Sequence, residues 1–149
     1  MTKNSLYIFV SQSGETSDTI NALKQIKKEG VKTLCITNAQ NSTMWQLCDY
    51  KILSDAGKEE SIASTKALTA QILCCMLILL ETMAQKGEDI SGYLNTMRRL
   101  PSYLERIKSD LDKIKTAAHL ISKYKNISIL GNKNYYPVAK EGALKIKET

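Results

Sequence analysis

The first apolar run, Leu6-Tyr7-Ile8-Phe9-Val10, is followed by a polar stretch and then by apolar positions at Ile20, Leu23 and Ile26. The run is continuous and rich in aromatic and β-branched residues, which predicts a buried parallel strand over Leu6 to Ser11. The three-residue spacing behind it predicts a helix from Thr16 to Glu29, closed by Gly30 at a C-cap position. Thr33 to Thr37 reads as a second strand, Asn38 to Ser42 as a polar turn and Thr43 to Cys48 as a short helix. Asp49 to Leu53 reads as a third, shorter strand. Strands and helices alternating at this spacing call for a parallel sheet with helices on both faces, the α/β class.

Beyond Leu53 the pattern changes. A polar loop, Ser54 to Thr65, leads into a helix from about Thr65 to Gln85 that is apolar nearly all round and is therefore expected at the centre of the fold. Its uncharged apolar run, Ile72 to Leu80, is far short of a membrane span, so no membrane partner is expected. A break at Gly87 to Gly92 precedes two amphipathic helices, one from Tyr93 through Pro101 to Lys108 and one from Leu111 to Lys123. Ile127-Ser128-Ile129-Leu130 reads as a new strand, and a last helix starts near Pro137, with proline in its first turn. A single fresh strand–helix unit after two linking helices is out of order for one complete doubly wound domain. The helical pattern is still running at Lys147-Glu148-Thr149, so the chain reads as an incomplete copy or a piece of a longer protein.

Composition narrows the class without naming a function. With 149 residues, 43% hydrophobic and 24% charged, the chain can bury one core of ordinary size. The net charge of +6 is uneven: residues 1–93 carry −1 and residues 94–149 carry +7. The lysines are scattered through amphipathic helices and there are only three arginines, so a solvated surface that attracts anionic metabolites is favoured over a nucleic-acid partner. Cys35, Cys48, Cys74 and Cys75 lack metal-ligand spacing and read as small buried hydrophobes in a reducing compartment. Met1-Thr2-Lys3-Asn4-Ser5 has no signal-peptide architecture, which makes the cytoplasm the expected location.

The chemistry is concentrated between the first strand and the first helix. That turn holds one glycine and the hydroxyls of Ser11, Ser13, Thr16, Ser17 and Thr19. A strand, a short polar turn and a helix N-terminus make an anion site, because unpaired backbone N–H groups and the helix dipole converge there. Ordinary N-capping is the alternative, but it needs only one Ser or Thr. Five hydroxyls favour phosphate. Asp55-Ala56-Gly57-Lys58-Glu59-Glu60 reads as a solvated turn rather than a metal loop.

Three segments together resemble the sugar isomerase (SIS) family, which includes the isomerase half of glucosamine-6-phosphate synthase and stand-alone phosphosugar isomerases and deaminases. They are Ser11 to Thr19, Ser61 to Gln71 and Tyr136 to Glu148, in the family's order and spacing. The resemblance implies a three-layer α/β/α fold, with residues 1–86 as the latter part of a first SIS domain, 87–126 as a helical linker and 127–149 as the start of a second. The family's opening turn of Cys/Gly/Ser/Thr type has no counterpart here. By position in the motifs, Ser11, Gln12, Ser13 and Thr16 would hold phosphate, and Ile62, Ala63 and Ser64 would lie along the sugar. Lys145 and Glu148 would stand near the reacting carbons, with Glu148 as the general base.

The implied reaction is aldose–ketose isomerisation of a hexose 6-phosphate or its amino sugar, with amination or deamination as a variation. A carboxylate that visits both C1 and C2 can carry the proton, so neither cofactor nor metal is expected. Glu141 and Glu148 fall on one helix face, and Lys145 lies four residues beyond Glu141, at ion-pair spacing. His119, the only histidine, is not at the family's ring-opening position and reads as structural or surface. The resemblance implies a homodimer with its site between subunits, binding a sugar phosphate. A non-catalytic sugar-phosphate sensor is the alternative.

Overall fold

The computed structural model describes residues 4–60 and 64–148. Ile62 and Ala63, two of the three positions expected along the sugar, lie outside the described residues. The chain divides into two units, Met1–Thr82 and Met83–Thr149.

In the first unit, β1 (Leu6–Ser11), β2 (Lys32–Thr37) and β3 (Tyr50–Leu53) form a parallel sheet in the order β1-β2-β3. Phe9 stands beside Cys35 and Val10 beside Ile36, so alternate residues of the two strands share each face. One face receives α1 (Ser17–Lys28) and α2 (Thr43–Leu47). Leu23 of α1, Met44 of α2, Cys35 and Cys48 make a buried cluster, against which Phe9, Trp45 and Leu47 pack. Burial pushes the Cys35 thiol up to about 12, helped by its neighbour Cys48, while Cys75 is exposed. The predicted strands and helices of this half are all present, with ends within one or two residues of expectation.

A polar brace locks the start of β3 to the start of β2. The Asp49 carboxylate accepts from the Thr33 amide (2.9 Å) and the Thr33 hydroxyl (2.8 Å), and that hydroxyl in turn accepts from the Asp49 amide (3.2 Å). Thr33 is fully buried, so its polar atoms need these partners. The same bonds from Thr33 hold the Asp49 carboxyl down to about 2, with smaller help from Lys27.

The other face of the sheet meets α3 (Lys66–Gln85), where Leu68, Gln71, Ile72, Cys75, Met76 and Leu79 line an open groove with Val10. The expectation of a central helix fails here. Ala67, Gln71 and Leu80 are buried, but Leu79 is 59% exposed and Ile72 51%. Val10 is the strand residue that shares the groove with this helix, and among the described residues much of the helix's apolar circumference is left open. The helix is also long and apolar enough to cross a membrane by length and composition. Leu6, Ile8 and Val10 of β1 are likewise about half exposed rather than buried, so the strand is covered on one face more than the other.

The second unit is helical. Its α4 (Ser91–Arg98), α5 (Leu100–Ser109) and α6 (Leu111–Ile121) replace the two linking helices expected. The extra division falls just before Pro101, whose ring cannot continue a helix interior but fits the first turn of a new one. A short 3₁₀ turn, Lys133–Tyr135, leads into α7 (Tyr136–Glu148). The strand expected at Ile127 to Leu130 is absent: the segment pairs with no strand among the described residues, and Leu130 is 92% exposed. A β-branched run supplies propensity, but its backbone groups need a neighbouring strand to become a ladder.

Candidate functional site

The turn at the C-terminal end of β1 is built around the buried Ser11. Its Oγ accepts from the Gly14 amide (3.0 Å) and lies 3.1 Å from the Thr16 hydroxyl. Gly14 is buried with φ +65°, and a Cβ there would stand 2.6 Å from Ser42 Cβ and overlap its hydroxyl. Glycine is therefore required on two counts, conformation and space. The Gly14 carbonyl accepts from the Met44 amide (3.1 Å), and the Glu15 carboxylate accepts from the Thr43 amide (2.6 Å). That bond holds the Glu15 carboxyl below its ordinary value. The Gln12 carbonyl accepts from the Asn38 amide (3.1 Å) and the Thr37 hydroxyl (3.2 Å). The turn is thus pinned from β2, its following loop and the start of α2.

What remains unpinned carries the chemistry. Thr16 stands at the N-cap of α1, yet its side chain makes no capping bond; its hydroxyl is with Ser11 instead. The first-turn amides of α1 thereby lack the cap that a single Ser or Thr would ordinarily supply. Ser13, whose Oγ accepts from the Glu15 amide (3.2 Å), does not cap the helix either. Gln12, Ser13 and Thr16 are all accessible. Beside the turn is an open polar depression of about 430 Å³, lined by Gln12, Asn38, Gln40, Asn41, Asp55 and Lys58 among others.

Ser64, the described member of the expected sugar stretch, has its Oγ 3.4 Å from Glu59 Oε2. The same carboxylate oxygen accepts from the amides of Thr65 and Ala67, both at 3.3 Å, so Glu59 caps the start of α3. The Asp55–Glu60 stretch, read from sequence as a solvated turn, is therefore tied down at both ends. The Asn38 side chain donates to the Gly57 carbonyl (2.6 Å) and accepts from the Ala56 amide (2.8 Å). Neither Asn38 nor Glu59 stands out in the sequence; the one available signal was a carboxylate a few residues before a long helix.

In the second unit, Lys145 Nζ is 3.2 Å from Glu141 Oε1 and 3.2 Å from Glu148 Oε2. Desolvation pushes the Lys145 ammonium down, but its hydrogen bonds to Glu148 and Glu141 outweigh that and raise it. Glu148 is exposed, and His119 is an exposed residue of α6. Among the described residues, no three His, Cys, Asp or Glu side chains gather as a metal site would require.

Residues 1–81 match the SIS domain family. The chain belongs to that family. This SIS chain is 34% identical to the glutamine–fructose-6-phosphate aminotransferase (isomerizing) of Campylobacter jejuni, over 98% of its own length and 24% of the relative's. It is 39% identical to the enzyme of the same name from Fusobacterium nucleatum, covering 99% of the SIS chain and 25% of that enzyme. Among solved structures, the C-terminal domain of glucosamine-fructose-6-phosphate aminotransferase from Francisella tularensis matches at a TM-score of 0.93 and 32% identity, over 99% of this chain and 43% of that one. The SIS chain thus spans about a quarter of the length of these curated relatives. Its parallel sheet with flanking helices is the α/β SIS fold of that neighbour.

Proposed function

We propose that this SIS chain binds a hexose 6-phosphate or amino-hexose 6-phosphate and takes part in its aldose–ketose isomerisation, with amination or deamination as a variation. The observation that carries the reading is the β1–α1 turn, where hydroxyls gather at a helix N-terminus left without its ordinary cap. Ser11, Gln12, Ser13, Thr16 and the first amides of α1 would receive the phosphate oxygens as neutral donors. Ser64 would meet the sugar, held in place by Glu59. Glu148 would move the proton between C1 and C2, and Lys145 would orient its carboxylate through their ion pair. Proton transfer by a carboxylate calls for no metal or cofactor.

The names of the relatives support the substrate class. In this reading the chain works in the cytoplasm as a homodimer, without nucleic acid or membrane. The half-exposed Leu6, Ile8 and Val10 favour association.

Thermal unfolding with glucosamine 6-phosphate and fructose 6-phosphate tests the reading. A ligand at one hundred times its dissociation constant stabilises the native state by about 2.7 kcal/mol. A clear rise in midpoint is expected for the natural chain, and none for Ser11→Ala with Ser13→Ala. Undiminished binding by the double variant would refute the clamp. Binding without isomerase turnover would favour a sensing module over an enzyme.

A further inference from the structure

We propose that Asn38 is a positioning residue that sets the Ser54–Glu59 loop against the β1–α1 turn, so that the sugar part of a phosphosugar is recognised separately from its phosphate. This deepens the phosphosugar reading above and rests on it. Asn38 follows β2 directly and bonds in two directions. Its amide donates to the Gln12 carbonyl in the turn (3.1 Å). Its side chain grips the loop by both polar ends: Nδ2 donates to the Gly57 carbonyl (2.6 Å), and Oδ1 accepts from the Ala56 amide (2.8 Å) and the Ser54 hydroxyl (3.3 Å). Gly57 turns the loop with φ +69°, and two residues later Glu59 reaches the Ser64 hydroxyl and the first amides of α3.

The chemistry specifies the residue type. The loop presents a carbonyl and an amide within reach of one short side chain, and only a carboxamide offers a donor and an acceptor at that length. Aspartate would keep the bonds to Ala56 and Ser54 but set an oxygen against the Gly57 carbonyl. Leucine would keep neither. The open depression beside the turn is walled by the groups this residue connects: Gln12, Asn38, Asp55, Gly57, Lys58 and Glu59. Phosphate on the turn meets hydroxyls whose geometry does not depend on the Asn38 side chain. A sugar carried on that phosphate also meets the loop, whose geometry does.

Two probes separate these roles. Inorganic phosphate and glucosamine 6-phosphate are titrated by calorimetry into the natural chain, Asn38→Leu and Asn38→Asp. Hydrogen exchange at the Ile36 amide reports the core and at the Ala56 amide the loop. Asn38→Leu is expected to weaken glucosamine 6-phosphate about tenfold while phosphate stays within about twofold, with Ala56 losing protection and Ile36 keeping it. Asn38→Asp is expected to recover part of the loss. If Asn38→Leu unfolds, Asn38→Asp and Ser54→Ala carry the same comparison. Equal loss of both probes, or no loss of either, overturns the proposal. A natural chain that binds neither probe overturns the phosphosugar reading itself, and this inference with it.

Discussion

Gly14→Ala tests the architecture of the turn, and Gly30→Ala is its internal control. Both glycines have nearly the same backbone, φ +65° and φ +69°, so the conformational penalty of an L-residue is common to both. That penalty is about 1–2 kcal/mol, reduced by up to about 1 kcal/mol because alanine restricts the unfolded chain. A Cβ at Gly30 meets nothing within 4 Å. A Cβ at Gly14 would overlap the Ser42 hydroxyl and stand 3.1 Å from Thr37 Oγ1. Ser42 cannot yield freely, because its Oγ donates to the Ala39 carbonyl (2.8 Å) and accepts from the Trp45 amide (3.3 Å) as the N-cap of α2. Losing a cap costs about 1 kcal/mol, and crowding a close-packed site adds about 1 more. The expected costs are therefore about 3 kcal/mol for Gly14→Ala and about 1 kcal/mol for Gly30→Ala. Urea unfolding followed by fluorescence of Trp45, the only tryptophan and a residue of α2 itself, reads the difference directly. Equal destabilisation by the two substitutions would refute the claim that Ser42 closes on the turn.

Two further outcomes follow from the polar contacts. The Asp49 carboxyl, held at about 2 by Thr33, stabilises the fold fully above about pH 4, and that contribution disappears as the pH falls through about 2. Asp49→Ala is expected to cost about 2–3 kcal/mol at neutral pH by orphaning the buried Thr33, and to flatten the acid limb of stability measured by urea unfolding from pH 5 to 2; an unchanged acid limb would contradict the brace. Glu148→Gln removes one exposed ion pair with Lys145 and should alter stability by less than about 1 kcal/mol. In an isomerase assay it is expected to abolish turnover while leaving the affinity for glucosamine 6-phosphate intact, and undiminished turnover would remove Glu148 from the mechanism.

The parts legible in the sequence are those whose signal is local. Leu6 to Ser11 carries its strand in its own residues, and Ile20, Leu23 and Ile26 place the buried side of α1 without outside help. The hydroxyl turn was visible as composition, but its defining property was not. That Thr16 turns to Ser11 instead of capping α1 depends on how Gly14 folds the chain back. The misread elements depended on partners. Among the described residues, Ile127 to Leu130 has strand propensity without a neighbour to pair with, and α3 has apolar residues on every side but only Ala67, Gln71 and Leu80 buried. Asn38 and Glu59 were missed for a related reason. An amide gripping a loop sixteen to nineteen residues away leaves no periodicity behind, and the loop it grips looks solvated because its charges are what the sequence displays. Lys145 was the reverse case: its spacing from Glu141 alone announced the ion pair.

The buried thiols give this protein a built-in clock. Cys35 lies on the middle strand with its proton held to about pH 12, so its sulfur has neither the charge to attack nor a path to a reagent. Cys75, on the surface of α3, is open to the same reagent. In one alkylation time course, modification of Cys75 therefore counts molecules, and modification of Cys35 counts how often the sheet lets go of its helices.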